Sequence, residues 1–171
     1  MAAGTWVRRG VALAMTAGLV LIPAGQGSAA VRVPWCGNAD LKASFTMAGA
    51  AAGTSYGRLR LRNVSDHACR TGGYGGLSYV GGGDGTQIGA AAVRDPGTVR
   101  VHTVQPGRRV VSRVRMVDAQ NYPKKRCRPA HVDGFRVYVP DATLSQYVAF
   151  PTTGCKNHRV HVLGHKPYHR P

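Results

Sequence analysis

Arginine occupies every second position of one short segment, GRLRLRNV at residues 57 to 64. Successive side chains of a β-strand point to opposite faces, so the two leucines would enter a core. The three arginines would then lie about 7 Å apart on the solvent face: Arg58, Arg60 and Arg62. Because guanidinium groups pair with phosphate and carboxylate groups, this spacing predicts a strand whose outer face suits an anionic polymer.

Further basic residues extend this candidate binding site. The chain has 23 lysines and arginines against 7 acidic residues, a formal net charge of +16. The full set of candidate polyanion-binding residues is Arg58, Arg60, Arg62, Arg109, Arg113, Arg115, Lys124, Lys125, Arg126 and Arg128. Since no aromatic residue interleaves the arginines of GRLRLRNV, we expect no sequence-specific reading of nucleic acid.

Four histidines near the C-terminus have the residue type of a metal site. They fall within twelve residues: His158, His161, His165 and His169. Neutral imidazoles bind zinc, copper or nickel, so a weak histidine-based metal site is one alternative. No carboxylate or cysteine accompanies them as a supporting group, which favours a solvated basic tail. We therefore expect no metal and no cofactor.

Catalytic motifs are sparse. Ser65, Asp66 and His67 have the residue types of a hydrolase triad, but three consecutive residues do not normally converge in space, so a polar turn is expected. The sequence has no G-x-S-x-G elbow and no H-E-x-x-H motif. We expect no enzymatic activity. An exported enzyme, or an inhibitor of another exported protein, remains the alternative.

The N-terminal segment has the composition of a secretory signal. Arg8 and Arg9 precede an apolar run at residues 11 to 22, and GQGSAA then supplies small residues for cleavage. This pattern predicts a signal peptide at residues 1 to 30 that is removed. The mature chain would be secreted, either extracellular or associated with the cell wall, monomeric, and without a transmembrane segment.

The alternation of apolar and polar residues recurs in later segments and predicts half-buried strands. These segments are residues 39 to 47, 109 to 116, 134 to 139 and 159 to 163, with Gly- and Pro-rich turns between them. No stretch after residue 31 sustains a helical period. The predicted fold is an all-β, antiparallel, immunoglobulin-like β-sandwich over residues 31 to 163, followed by a flexible basic tail at residues 164 to 171.

All four cysteines lie in the predicted mature chain, and an even count in an exported protein indicates two disulfide bonds. Residues 39 to 47 and 56 to 64 would form one hairpin, and 134 to 139 and 146 to 150 another. Each hairpin is bracketed by a cysteine pair, which favours sequential pairing: Cys36 with Cys69 and Cys127 with Cys155. Spacing leaves the two other connectivities open.

The order of several short motifs resembles a known family. It begins with a cysteine, a D-L strand and an N-x-S/T-type turn, followed by a second cysteine and a glycine-tyrosine step. A P-G turn, a third cysteine, a V-x-V-P strand and a final cysteine follow. The residues are Cys36, Asp40, Leu41, Asn63, Ser65, Cys69, Gly73, Tyr74, Pro106, Gly107, Cys127, Val137, Val139, Pro140 and Cys155. Over residues 35 to 163 the chain resembles the secreted actinobacterial domain of unknown function 4232. The resemblance implies an exported β-sandwich and supplies no catalytic residues.

The function that these features predict is that of an exported, non-enzymatic binding module. Its basic surface would associate with anionic polymers of the cell envelope or the extracellular space.

Overall fold

Two of the predicted strand pairs form antiparallel hairpins in the computed structural model, which describes residues 1–5 and 32–171. The chain divides into a first unit, residues 1–31, and a second unit, residues 32–171, and the fold described below is that of the second. The predicted signal peptide lies outside the described residues except for its first five.

Eleven strands and one short helix make up the second unit. The strands are β1 (Leu41–Ala51), β2 (Thr54–Asn63), β3 (Cys69–Gly72), β4 (Gly76–Gly81), β5 (Thr86–Ile88), β6 (Val93–Arg94), β7 (Val101–Val104), β8 (Arg109–Val117), β9 (Pro129–Tyr138), β10 (Ser145–Cys155) and β11 (Leu163–His165). The helix α1 (Lys124–Cys127) follows a 3₁₀ turn at Ala119–Asn121.

The strands form three sheets. A five-stranded sheet has the order β1-β2-β8-β11-β6, a four-stranded sheet the order β10-β9-β4-β5, and β3 and β7 form a two-stranded ribbon. Among the strand pairs of the described residues, β11 with β6 is parallel and the others are antiparallel. The predicted hairpins correspond to β1-β2 and β9-β10.

The two larger sheets enclose one hydrophobic core. Strands β2 and β8 contribute Leu59, Leu61, Val114 and Met116, and the facing sheet contributes Leu77, Tyr79, Phe135 and Val137. The ring centroids of Phe45 and Phe135 lie 4.9 Å apart across the two sheets. The prediction of an antiparallel β-sandwich is therefore confirmed, because the leucines of GRLRLRNV enter this core as the alternation required.

Both disulfide bonds follow the sequential pairing. Cys36 is joined to Cys69 and Cys127 to Cys155, and all four cysteines are buried. The first bond closes the ends of the β1-β2 hairpin, and the second closes those of β9-β10. A disulfide bond that joins the two ends of such a hairpin typically stabilises a fold by about 2–4 kcal/mol.

The structure corrects the predicted C-terminal boundary. Residues 164 to 171 were expected to be a flexible tail, but Leu163–His165 is strand β11 and pairs with β8 and β6. Beyond it, Tyr168 is 1% exposed, and His169 exchanges two backbone hydrogen bonds with Val111. The predicted strand at residues 159 to 163 therefore begins later, at Leu163. The C-terminal segment pairs with the edge of β8 that β2 does not occupy, and its apolar side chains are buried there.

Candidate functional site

Seven cations lie on the outer side of β1, β2 and β8, and six of them have no acidic partner within residues 32–171. We call this surface the arginine face and define it by Lys42, Arg58, Arg60, Arg62, Arg109 and Arg113. The strand register sets them in rows: Arg62 lies opposite both Lys42 and Arg109, and Arg58 lies opposite Arg113. Directly opposed residues of antiparallel strands have Cβ atoms about 5 Å apart. The structure thus brings together arginines that lie about fifty residues apart in the sequence.

Within residues 32–171, none of the six side chains of the arginine face lies within salt-bridge distance of an acidic group, and Asp95, which borders the face, is paired with Arg115. None of the five strands of its sheet contains an aspartate or glutamate. Like charges placed directly opposite each other destabilise a sheet, so the opposed pairs carry an electrostatic cost that an anionic ligand would remove. Fixed hydrogen bonds within the face are few: Arg60 donates to Thr46 Oγ1, and Arg62 Nε donates to the Gly107 carbonyl over 3.3 Å.

Arg115 differs from the other predicted binding residues because it has an acidic partner. Its Nη2 lies 3.0 Å from Asp95 Oδ1 and its Nε lies 3.3 Å from Asp95 Oδ2. These hydrogen bonds raise the pKa of Arg115. The pair crosses Gly164, where a Cβ atom would lie 2.6 Å from the Arg115 guanidinium. Within residues 32–171, Arg115 is the one arginine or lysine within salt-bridge distance of an acidic side chain.

The KKRCR run lies away from the arginine face. Lys124, Lys125 and Arg126 belong to helix α1, and Arg128 follows it. The helix is tied by the Cys127–Cys155 disulfide bond to β10, in the four-stranded sheet. The predicted binding set is thus split between two separate parts of the surface.

Three clefts adjoin the arginine face. One of about 390 Å³ is lined by Arg58, Arg113 and His169, and one of about 290 Å³ by Arg113, Arg115 and Lys166 together with the carboxylate of Asp95. A third of about 500 Å³ is lined by three arginines, Arg108, Arg109 and Arg170. Lys42, Arg108, Lys166 and Arg170 were missed as site residues. Alternation with apolar neighbours was a usable signal for Lys42, whereas the fold alone places the other three in clefts beside the face.

The four C-terminal histidines do not form a cluster. His165 is buried, and His169 lies beside the arginine face. His158 is exposed, with its Nδ1 3.0 Å from the Gly89 carbonyl, and His161 is exposed as well. Among the residues that the structure describes, no group of three or more histidine, cysteine or acidic side chains is placed to hold a metal ion.

Ser65, Asp66 and His67 lie in a turn, as predicted. The Asn63 carboxamide Oδ1 accepts hydrogen bonds from the Ser65 amide over 2.9 Å and from its hydroxyl over 2.7 Å. Asn63 itself is fully buried and donates to the backbone carbonyls of His67 and Val104. The serine hydroxyl therefore closes a loop and is not directed at the His67 ring.

Sequence reasoning missed a serine-histidine pair that the fold creates. Ser112 Oγ lies 3.3 Å from His165 Nδ1, and both side chains are buried. Ser112 donates its hydroxyl proton to the Lys166 carbonyl, so the hydroxyl holds the C-terminal segment against β8. Both side chains lie in the interior, and the serine hydroxyl links β8 to the C-terminal segment.

The buried His165 makes stability depend on pH. Desolvation by burial lowers the pKa of its imidazole, against the opposing effect of backbone hydrogen bonds to Lys166 and Gly75. The unfolded chain therefore binds this proton at higher pH than the folded chain does, and stability is lost as pH falls below about 6.5.

We expect the urea midpoint to drop between pH 7 and pH 5, and the drop to be smaller in His165→Gln. The exposed control His161→Gln should retain the full drop, and equal drops in both variants would contradict the assignment.

One further cleft gathers titratable groups away from the arginine face. It measures about 580 Å³, and its lining includes Asp84, His131, Lys156 and His158. All four side chains are exposed, and the Thr86 backbone amide, which donates to Asp84, lowers the pKa of that carboxyl group. These groups are solvated, unlike the desolvated acids and bases of most catalytic sites.

The fold and the arginine face define the class of protein: a disulfide-bonded antiparallel β-sandwich with a cationic face on one sheet. A family model, described as "Domain of unknown function (DUF4232)", matches residues 36–167. The chain belongs to this family, as the order of its motifs predicted. No curated protein and no solved structure matches the chain. Across the described residues, no helix is long and apolar enough to cross a membrane.

Proposed function

We propose that this protein is a non-enzymatic binding module whose arginine face associates with anionic polymers. One observation carries the proposal: six cations are fixed in register on three adjacent strands of a sheet whose strands contain no acidic residue. A field of one sign over an extended, rigid surface raises the local concentration of an oppositely charged polymer and accelerates its association. The three adjoining clefts make this surface concave in places.

The proposed location is outside the cytoplasm, on the cell envelope or in the medium. Two disulfide bonds support this location because such bonds persist in oxidising compartments. The signal pattern at residues 1 to 30 supports it independently.

N-terminal sequencing of exported protein should give a sequence that begins within a few residues of Val31, and a retained Met1 would contradict export.

A salt series on the mature protein tests the proposed binding. Cell-envelope fractions, duplex DNA as a model polyanion and a neutral polysaccharide would be compared by co-sedimentation or fluorescence. We expect binding to the first two to weaken steeply between low and high salt, because counterion release drives association with a polyanion. Comparable binding to the neutral polysaccharide, or binding that does not respond to salt, would contradict the proposal.

A further inference from the structure

One cleft of the arginine face lies between two opposed arginines. Arg58 on β2 is directly opposite Arg113 on β8, and both line the cleft of about 390 Å³. Its remaining walls are Ala48, Tyr56, Gly57, Val111 and His169. Two guanidinium groups therefore border one small concavity that also has an aromatic wall and an apolar wall.

The backbone around this cleft is well anchored. Val111 and His169 exchange two backbone hydrogen bonds of 2.8 and 2.9 Å, and the neighbouring Tyr168 is buried. On the opposite side, the register of β1 shifts between Met47 and Gly49, which places the small residue Ala48 at a bulge. Bulges commonly redirect strands beside functional sites. The walls are thus held in place, and within residues 32–171 neither cationic side chain has an acidic partner.

The geometry of the opposed pair favours a tetrahedral oxyanion over a carboxylate. A carboxylate has two coplanar oxygens, so it can form one bidentate pair with a guanidinium group, and a second guanidinium group can reach it only through single hydrogen bonds. A phosphate group offers oxygens in more than one plane, so it can accept hydrogen bonds from two guanidinium groups at once. Arg115, the next cation along β8, is already neutralised by Asp95, whereas Arg58 and Arg113 have no acidic side chain within salt-bridge distance among residues 32–171.

We propose that the cleft between Arg58 and Arg113 is a phosphate-binding subsite that takes one phosphate group of a phosphodiester polymer. This inference rests on the proposed function and names the chemical class of its ligand. A polymer fits better than a lipid headgroup, because the adjoining clefts are lined by further cations. The next opposed pair, Arg62 and Arg109, lies four residues away along β2, about 13 Å, where it is available to a phosphate further along the same polymer.

The test uses NMR titration of the mature protein, following the arginine Nε–H signals. Inorganic phosphate and acetate at matched ionic strength are the probes. We expect saturable shifts of the Arg58 and Arg113 signals, with phosphate bound about tenfold more tightly than acetate, the worth of one charge-assisted hydrogen bond. Equal affinity for the two probes would overturn the subsite.

Two double variants provide a matched comparison. R58Q/R113Q and R62Q/R109Q each remove two opposed cations from the same two strands. Because R58Q/R113Q lacks the two arginine signals, the backbone amide signals of the cleft are followed in both variants. The preference for phosphate should disappear in R58Q/R113Q and persist in R62Q/R109Q, while both variants keep a folded spectrum. Loss of the preference in both, or in neither, would overturn the assignment to Arg58 and Arg113.

Polymer and lipid sources are separated by two further probes, a soluble glycerol phosphate polymer and phosphatidylglycerol vesicles. Stronger binding to the polymer supports the proposal, and stronger binding to the vesicles overturns its polymer source.

Failure of the subsite remains distinguishable from failure of the proposed function. In the first case the polymer still binds with a salt dependence although phosphate is not preferred, and in the second no anionic polymer binds.

Discussion

Replacing Arg58, Arg60 and Arg62 with glutamine is expected to flatten the salt dependence of polyanion binding sharply. With duplex DNA as the model polymer, the log-log slope changes by about 0.9 for each phosphate that a cation neutralises. Removal of three cations should therefore flatten the slope by about two to three units. Binding isotherms measured at several salt concentrations give this slope directly.

The triple variant should still fold. Arg58 and Arg62 project to solvent and lie opposite other cations, so their replacement removes like-charge repulsion. Surface substitutions usually change the free energy of unfolding by less than about 0.5 kcal/mol each. An unchanged or slightly higher thermal midpoint is expected. A triple variant that fails to fold would show that the arginine face contributes to packing in a way the outward orientation does not explain.

The matched control is Lys124→Gln, Lys125→Gln and Arg126→Gln together. This variant removes the same number of positive charges from helix α1, which lies outside the arginine face. Its slope should change by less than about one unit, because the polymer is expected to contact the face and not the helix. Equal flattening in the two triple variants would mean that net charge alone drives binding, and the face would lose its assigned role.

Replacing Tyr168 with alanine is expected to destabilise the fold strongly. The side chain is among the largest that are fully buried, and its backbone amide donates to the Gly73 carbonyl over 2.8 Å. Truncation of a buried aromatic side chain typically costs about 3–5 kcal/mol, a large part of the stability of a domain of this size. Urea unfolding of the two proteins measures the difference.

Two further substitutions make the Tyr168 prediction specific. Within residues 32–171 the Tyr168 hydroxyl is buried and has no hydrogen-bond partner, so Tyr168→Phe should be neutral or stabilising. Arg170→Ala, at an exposed position two residues further on, should change the free energy of unfolding by less than about 0.5 kcal/mol. A cost below about 1 kcal/mol for Tyr168→Ala would mean that the C-terminal segment is not packed as the structure describes.

Local sequence pattern was sufficient for much of the fold. The alternation of leucine and arginine in GRLRLRNV predicted a strand and its two faces, because a strand has a side-chain period of two wherever it lies. The cysteines that bracket each predicted hairpin indicated the correct disulfide pairing, because residues flanking a hairpin come close in space. The order of short motifs indicated the family.

Only the tertiary structure decided which cations lie together. Arg58 meets Arg113, Arg115 meets Asp95, and the KKRCR run joins neither pair, because strand order and register depend on long-range packing that local periodicity does not encode. The C-terminal segment contains two prolines and no alternation, so its sequence gave no strand signal. It is nevertheless ordered by the open edge of β8, and burial of Tyr168 against the core brings His169 and Arg170 to the border of the arginine face.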